Sequence, residues 1–156
     1  MNKIYIHKNP NGDTRTAPIG VTFEQFHEAN IAHMYDVNLV MYFLSKRLAM
    51  QGVAHDHTKL EYEQEFYENF CDAMNKGTDF VSNTWYQKHI TEEKHHPFSK
   101  CHDDITLLDI IETIVDCVCA GKARSGEVRP MEFDRSILEL AVRNTIKLVD
   151  DMTEAI

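Results

Sequence analysis

The sequence predicts an all-α bundle carrying a small β-hairpin at its N-terminus. Long segments over 22–48, 105–119 and 134–152 space their apolar residues three and four apart, and the only β-rich run lies within the first 20 residues. The hydrophobic fraction of 43% is that of a globular chain, and no apolar run reaches the ~20 residues that span a bilayer. A chain of 156 residues supports one domain around one core. The expected division is an arm over 1–20 and a helical domain over 21–156.

The arm begins with Ile4, Tyr5 and Ile6, turns at Asn9-Pro10-Asn11-Gly12, and is expected to return as a second strand over Thr14 to Ile19. An isolated hairpin is marginal in water, so it must lie against the helices or pair with another chain. Thr22 and Gln25 have capping-box spacing and open the longest periodic segment. Phe26, His33, Val37, Val40, Leu44 and Leu48, with Asn30 in the gap, form one stripe. That stripe predicts that His33 faces inward and that the helix ends or breaks at Gly52.

Thr58 and Glu61 repeat the capping-box spacing and open a further helix, with Tyr62, Phe66, Phe70 and Met74 inward. A short helix around Trp85 to Ile90 follows, then His95-His96-Pro97, where Pro97 turns His96 out of helical geometry. Ile105 to Cys119, capped by Asp103 or Asp104, is apolar around most of its circumference and is expected to be central and largely buried. The last helix, about Asp134 to Met152, is amphipathic packing structure.

A formal net charge of -9 argues against a broad interface with a phosphate backbone, although a small anionic substrate needs only local positive charge. The four cysteines form no C-x-x-C pair and are read as reduced thiols. Cys117 and Cys119, two apart, fall on different sides of a helix, which disfavours a joint metal site. No basic leader followed by an apolar stretch opens the chain, so the expected address is the cytoplasm. Gly-rich phosphate loops, a G-x-S-x-G elbow and internal repeats are all missing. The acidic balance and the amphipathic last helix permit a homodimer without requiring one.

The chemistry-bearing residues are His33, the dipeptide His55-Asp56, the pair His95-His96 and Asp116. Imidazole and carboxylate hold divalent transition metals while leaving positions open for water and substrate. Alone, His55-Asp56 reads equally as a surface residue beside a capping carboxylate, and His95-His96 as a polar turn. Asp109, Glu112, Thr113 and Asp116 form the one polar stripe on the 105–119 helix. Carboxylates on a buried helix need partners, either a metal with histidines from other helices or Lys and Arg and water. Lys59 places a positive charge in a first helical turn, where it opposes the helix dipole. Lys122, Arg124 and Arg129 form a compact basic patch soon after Asp116.

The order His33, His55-Asp56-His57-Thr58-Lys59, His89 to His95-His96-Pro97, then Asp116 resembles the HD superfamily of metal-dependent phosphohydrolases. It is similar in particular to the short HD-like proteins of bacteriophages, over roughly residues 30 to 125. The resemblance implies an HD-domain-like helical bundle holding one or two divalent metals (Mn, Fe, Co, Ni, Zn or Mg). His33, His55, Asp56 and Asp116 would be ligands, and His95 or His96 would complete the set. It implies hydrolysis of a small phosphate ester such as a nucleotide, in the host cytoplasm if the chain is phage-encoded. Asp56 would orient the attacking water, while Lys59, Lys122 or Arg124 would stabilise phosphate charge. Two other classes fit the same residues: a metal-stabilised helical module that binds a host or phage protein, and an iron-dependent oxygenase.

Overall fold

Thr22 opens the first helix as its spacing predicts. Its N–H donates to Gln25 Oε1 at 3.1 Å, and the Gln25 N–H returns to Thr22 Oγ1 at 3.3 Å. A computed structural model of the chain, which describes residues 3–128 and 130–156, runs this helix, α1, unbroken over Phe23–Ala54. Gly52 does not break it; a lone glycine costs a helix only about 1 kcal/mol relative to alanine. There follow α2 (His57–Glu61), α3 (Glu63–Lys76), α4 (Thr84–Glu92), α5 (Leu107–Ser125) and α6 (Arg135–Met152). Strands β1 (Ile4–Ile6) and β2 (Thr153–Ala155) lie near the two ends. The chain is mostly helical, and its contacts divide it into two units, Met1–Leu48 with Ile146–Ile156, and Ala49–Thr145. The division does not fall at residue 20.

In the first unit the expected hairpin does not form. β1 pairs in parallel with β2 in the register Ile4↔Thr153, Tyr5↔Glu154 and Ile6↔Ala155. Residues 14–19 are unable to return as a strand because Asp13 curls them into a turn. Its carbonyl accepts the N–H groups of Thr16 and Ala17, and its carboxylate accepts that of Arg15. Ile4, Val40 and Met152 form the core here, with Leu39, Leu44, Leu148 and Val149 against them. Asp36 on α1 is buried beside this core and is satisfied by the His7 N–H at 2.9 Å and the His7 ring at 3.1 Å.

The second unit is built around Ile105, Ile110 and Ala141, with Leu107, Phe133, Ile137 and Leu140 packed against them. α5 is capped by Thr106 rather than by Asp103 or Asp104: the Asp109 carboxylate accepts both the N–H and the hydroxyl of Thr106 at 2.7 Å. The helix is less buried than expected. Ile111, Ile114, Val115 and Val118 are exposed, while Asp109 and Thr113 are buried. Its polar stripe is therefore the inward face. The helix expected from Thr58 breaks at Tyr62 (φ -113°, ψ 34°) into α2 and α3, and Phe70 and Met74 are exposed rather than inward. Phe66 stacks on Trp85 of α4 at 3.9 Å between ring centroids.

Candidate metal centre

The site starts from a single left-handed residue. Asp56 has φ 56° and ψ 26°, the one positive φ among the described non-glycine residues. An L-residue there costs about 1–2 kcal/mol, least for Asp and Asn, and such strain gathers at functional sites. The turn ends α1 and starts α2, and it sets His55 Nε2 3.3 Å from Asp56 Oδ2.

Three histidines meet around Asp56. Asp56, His89, His95 and His96 each offer a ligand atom, and these atoms lie within 4.8 Å of one another. His95 Nε2 is 3.4 Å and His89 Nε2 3.5 Å from Asp56 Oδ1. A second set, His55, His95 and Asp116, meets the same limit and shares His95. A third, His57, Glu61 and Glu92, lies at the exposed surface.

The rings are oriented by groups behind them. Glu112 Oε1 lies 2.9 Å from His55 Nδ1 and 3.3 Å from His95 Nδ1, so one carboxylate fixes the N–H of both rings on the side away from Asp56. On the other flank the Thr58 N–H and hydroxyl both donate to Glu93 Oε1, at 3.2 and 3.0 Å. The hydroxyl oxygen can then accept from His89 Nδ1, which lies 2.6 Å away. In each case the lone pair of Nε2 is left facing the cluster, as in the carboxylate–histidine arrangements behind metal ligands. Trp85 stacks on His89 at 4.8 Å, and the Thr113 hydroxyl donates to the His95 carbonyl at 2.9 Å, anchoring that loop to α5.

Two buried atoms in this cluster have no hydrogen-bond partner, Asp56 Oδ1 and His95 Nε2; among the described residues the others are Asn83 Nδ2 and Trp85 Nε1. Asp56 Oδ1 and His95 Nε2 face each other at 3.4 Å, and buried polar atoms that make no hydrogen bond are costly. His89 Nε2 and His96 Nε2 are 2.7 Å apart, a separation at which two lone pairs repel unless a proton or a cation lies between them. The donor set, imidazole nitrogen and carboxylate oxygen, fits a divalent transition metal.

The electrostatics favour the neutral form of His89 and His96 and the charged form of His95. Burial, reinforced by the neighbouring imidazoles, lowers His89 to about 3 and His96 to about 4, so both rings are neutral near pH 7. Burial works against ionised Asp56, but His95, Lys59 and His55 outweigh it and hold the carboxyl well below the usual range. Burial also opposes a charged His95, yet Asp56, Glu112 and Glu93 raise it above the ordinary imidazole value.

A cavity of about 500 Å³ opens beside the donors, lined by His96 and Asp116 on one side and by Arg124, Phe98 and Met131 among others. Cys117 is in its wall, its thiol pushed up by burial and by Asp116. All four cysteines are free.

Of the residues expected at the site, His55, Asp56, His95, His96 and Asp116 come together. His33 does not join them. It is exposed, on the part of α1 that belongs to the first unit. Lys59 is ion-paired with Asp56, which supplies the compensation that its place in the helix calls for. Arg124 lines the cavity, whereas exposed Lys122 is not in its lining and donates to the Gly126 carbonyl at 3.4 Å. Arg129 lies outside the described residues. His89 belongs to the histidine run that carries the resemblance, and the structure brings it in beside His95 and His96; Thr58, Glu93 and Glu112 were not singled out as site residues. For Glu112 the legible signal was its place on the same polar stripe as Asp116, and for Thr58 the capping-box pattern pointed elsewhere. Comparison of the chain with protein-family models, with curated proteins and with solved structures returns no match.

Proposed function

We propose that this chain is a metal-dependent phosphohydrolase of HD type, acting on a small phosphate ester such as a nucleotide. The observation that carries the reading is the convergence of Asp56, His89, His95 and His96, in which buried Asp56 Oδ1 and His95 Nε2 face each other at 3.4 Å and make no hydrogen bond. Asp56, His89, His95 and His96 would hold one divalent ion, and His55 and Asp116 extend the set towards the cavity. A divalent ion supplies an acidified water and a Lewis acid for a phosphoryl oxygen, together worth several kcal/mol of barrier.

The chain's own residues do the rest. Asp56, kept ionised, accepts a hydrogen bond from the attacking water and aims it. Water oxygen bonds to phosphorus, the ester P–O bond breaks, and the leaving oxygen takes up a proton. Arg124 faces the same cavity as Asp116 and His96, where it can bind the phosphate oxygens in a fork. Phe98 and Met131 give that cavity an apolar wall suited to the body of the ester. Lys59 keeps a positive charge beside Asp56.

The test is phosphate release from a panel of nucleotides by manganese-loaded protein. Turnover is expected in the wild type, lost in Asp56→Asn, and shifted mainly in KM by Arg124→Ala. No turnover on any phosphate ester by protein shown to hold metal would overturn the assignment.

A further inference from the structure

α1 is apolar on more of its circumference than this chain covers. Between Glu28 and Lys46 it carries only one residue of the Asp, Glu, Lys and Arg class, Asp36, and that one is buried against His7. A helix that is apolar on all sides requires covering on all sides. The covered side holds Ala29, Asp36 and Val40. On the opposite side Ile31, Met34, Val37 and Met41 follow one another at spacings of three and four, with Tyr35 and Tyr42 seven apart along the edge. All six are exposed, Met34 at 63% and Met41 at 60%.

With a large apolar side chain presenting about 200 Å² when free, these six expose roughly 700 Å². That exceeds the ~300–600 Å² patch usual on a monomer and approaches the ~800 Å² that each partner buries in a stable interface. Depletion of charge and enrichment in Met and Tyr is the composition of an interface core. The charges at its two ends are of opposite sign: Glu24 and Glu28 precede the face, and Lys46 follows it, its ammonium 4.9 Å from the centre of the Tyr42 ring. Two copies laid antiparallel would set acidic beside basic at both ends, which a parallel pairing would not.

We infer that this face of α1, residues 31–42, is the interface with a second copy of the chain, the two helices running antiparallel. The inference is independent of the metal reading. The full chain at micromolar concentration should sediment at twice 18.1 kDa. Met34→Glu combined with Met41→Glu should return it to 18.1 kDa with its helical circular dichroism kept, since both side chains are exposed in the single chain. Tyr35→Lys combined with Tyr42→Lys should do the same, which guards against one pair failing to fold. A wild type that stays monomeric would overturn the proposal and leave the face to another macromolecule. So would a dimer that survives both folded double variants, because its interface would then lie elsewhere.

Discussion

Glu112 Oε1 lies 2.9 Å from His55 Nδ1, and the same oxygen serves His95. This carboxylate decides which nitrogen of each ring faces Asp56. Glu112→Gln keeps the size and the hydrogen-bonding reach but removes the charge that favours Nδ1–H on both imidazoles. Metal affinity should fall about 10–100-fold with helicity unchanged. Competition against a chromophoric chelator reads it directly, and an unaltered affinity would remove Glu112 from the account.

Thr58 is fully buried and ties Glu93 to His89 through one hydroxyl. Thr58→Val keeps the shape and strands His89 Nδ1, so it should cost about 1–3 kcal/mol. Thr58→Ser restores the hydroxyl and should recover most of that loss. Urea denaturation of the two variants separates hydrogen bonding from packing.

Asp56 in the left-handed region predicts a difference between two neutral replacements. Asp56→Asn and Asp56→Ala both lose the charge and both should lose the metal. Asn tolerates this backbone conformation and Ala does not, so the Ala variant should be the less stable by about 1 kcal/mol. Equal thermal midpoints would mean that the strain is absent.

The metal-free chain should lose stability on mild acidification. His89 and His96 are held at about 3 and about 4 when folded, against about 6.5 for an unfolded imidazole. Below about pH 6.5 the unfolded chain takes up protons that the folded rings refuse, so stability falls towards pH 4. His95 is raised and acts oppositely, its contribution present below about 6.5 and lost as pH rises through its folded value. Two rings outweigh one, and Asp56 is lowered and acts only below this window. Denaturation midpoints that stay flat or rise from pH 7 to pH 5 would contradict the balance.

Gly121 is pinned by space rather than by backbone angle. A Cβ there would lie 2.6 Å from the Glu127 carbonyl oxygen, in the segment that follows α5, while Gly121 itself lines the cavity. Gly121→Ala should therefore destabilise by about 1–3 kcal/mol and weaken substrate binding more than metal binding. Paired titrations with metal and with a nucleotide test this.

Features encoded within a few residues could be read from the sequence. The Thr22–Gln25 cap, the start of α6 after Asp134 and the turn at His96-Pro97 depend on neighbours alone. The hairpin could not, because the partner of β1 is at the other end of the chain and nothing local excludes a nearer one. Thr58 has the sequence signature of a cap, but burial turned its hydroxyl to His89 and Glu93. The stripe on α5 was visible as polar, yet periodicity alone does not say which side of a helix faces in; its carboxylates went inward because histidines were there to meet them. His33 shows the converse, an inward-looking stripe position left exposed.

The account rests on one cation among Asp56, His89, His95 and His96. Titration of metal-free protein with manganese, cobalt or zinc, followed by isothermal calorimetry, should show at least one tight site in the wild type that is abolished by Asp56→Asn and by His95→Gln. No binding by folded wild type, or binding that survives both substitutions, would contradict it.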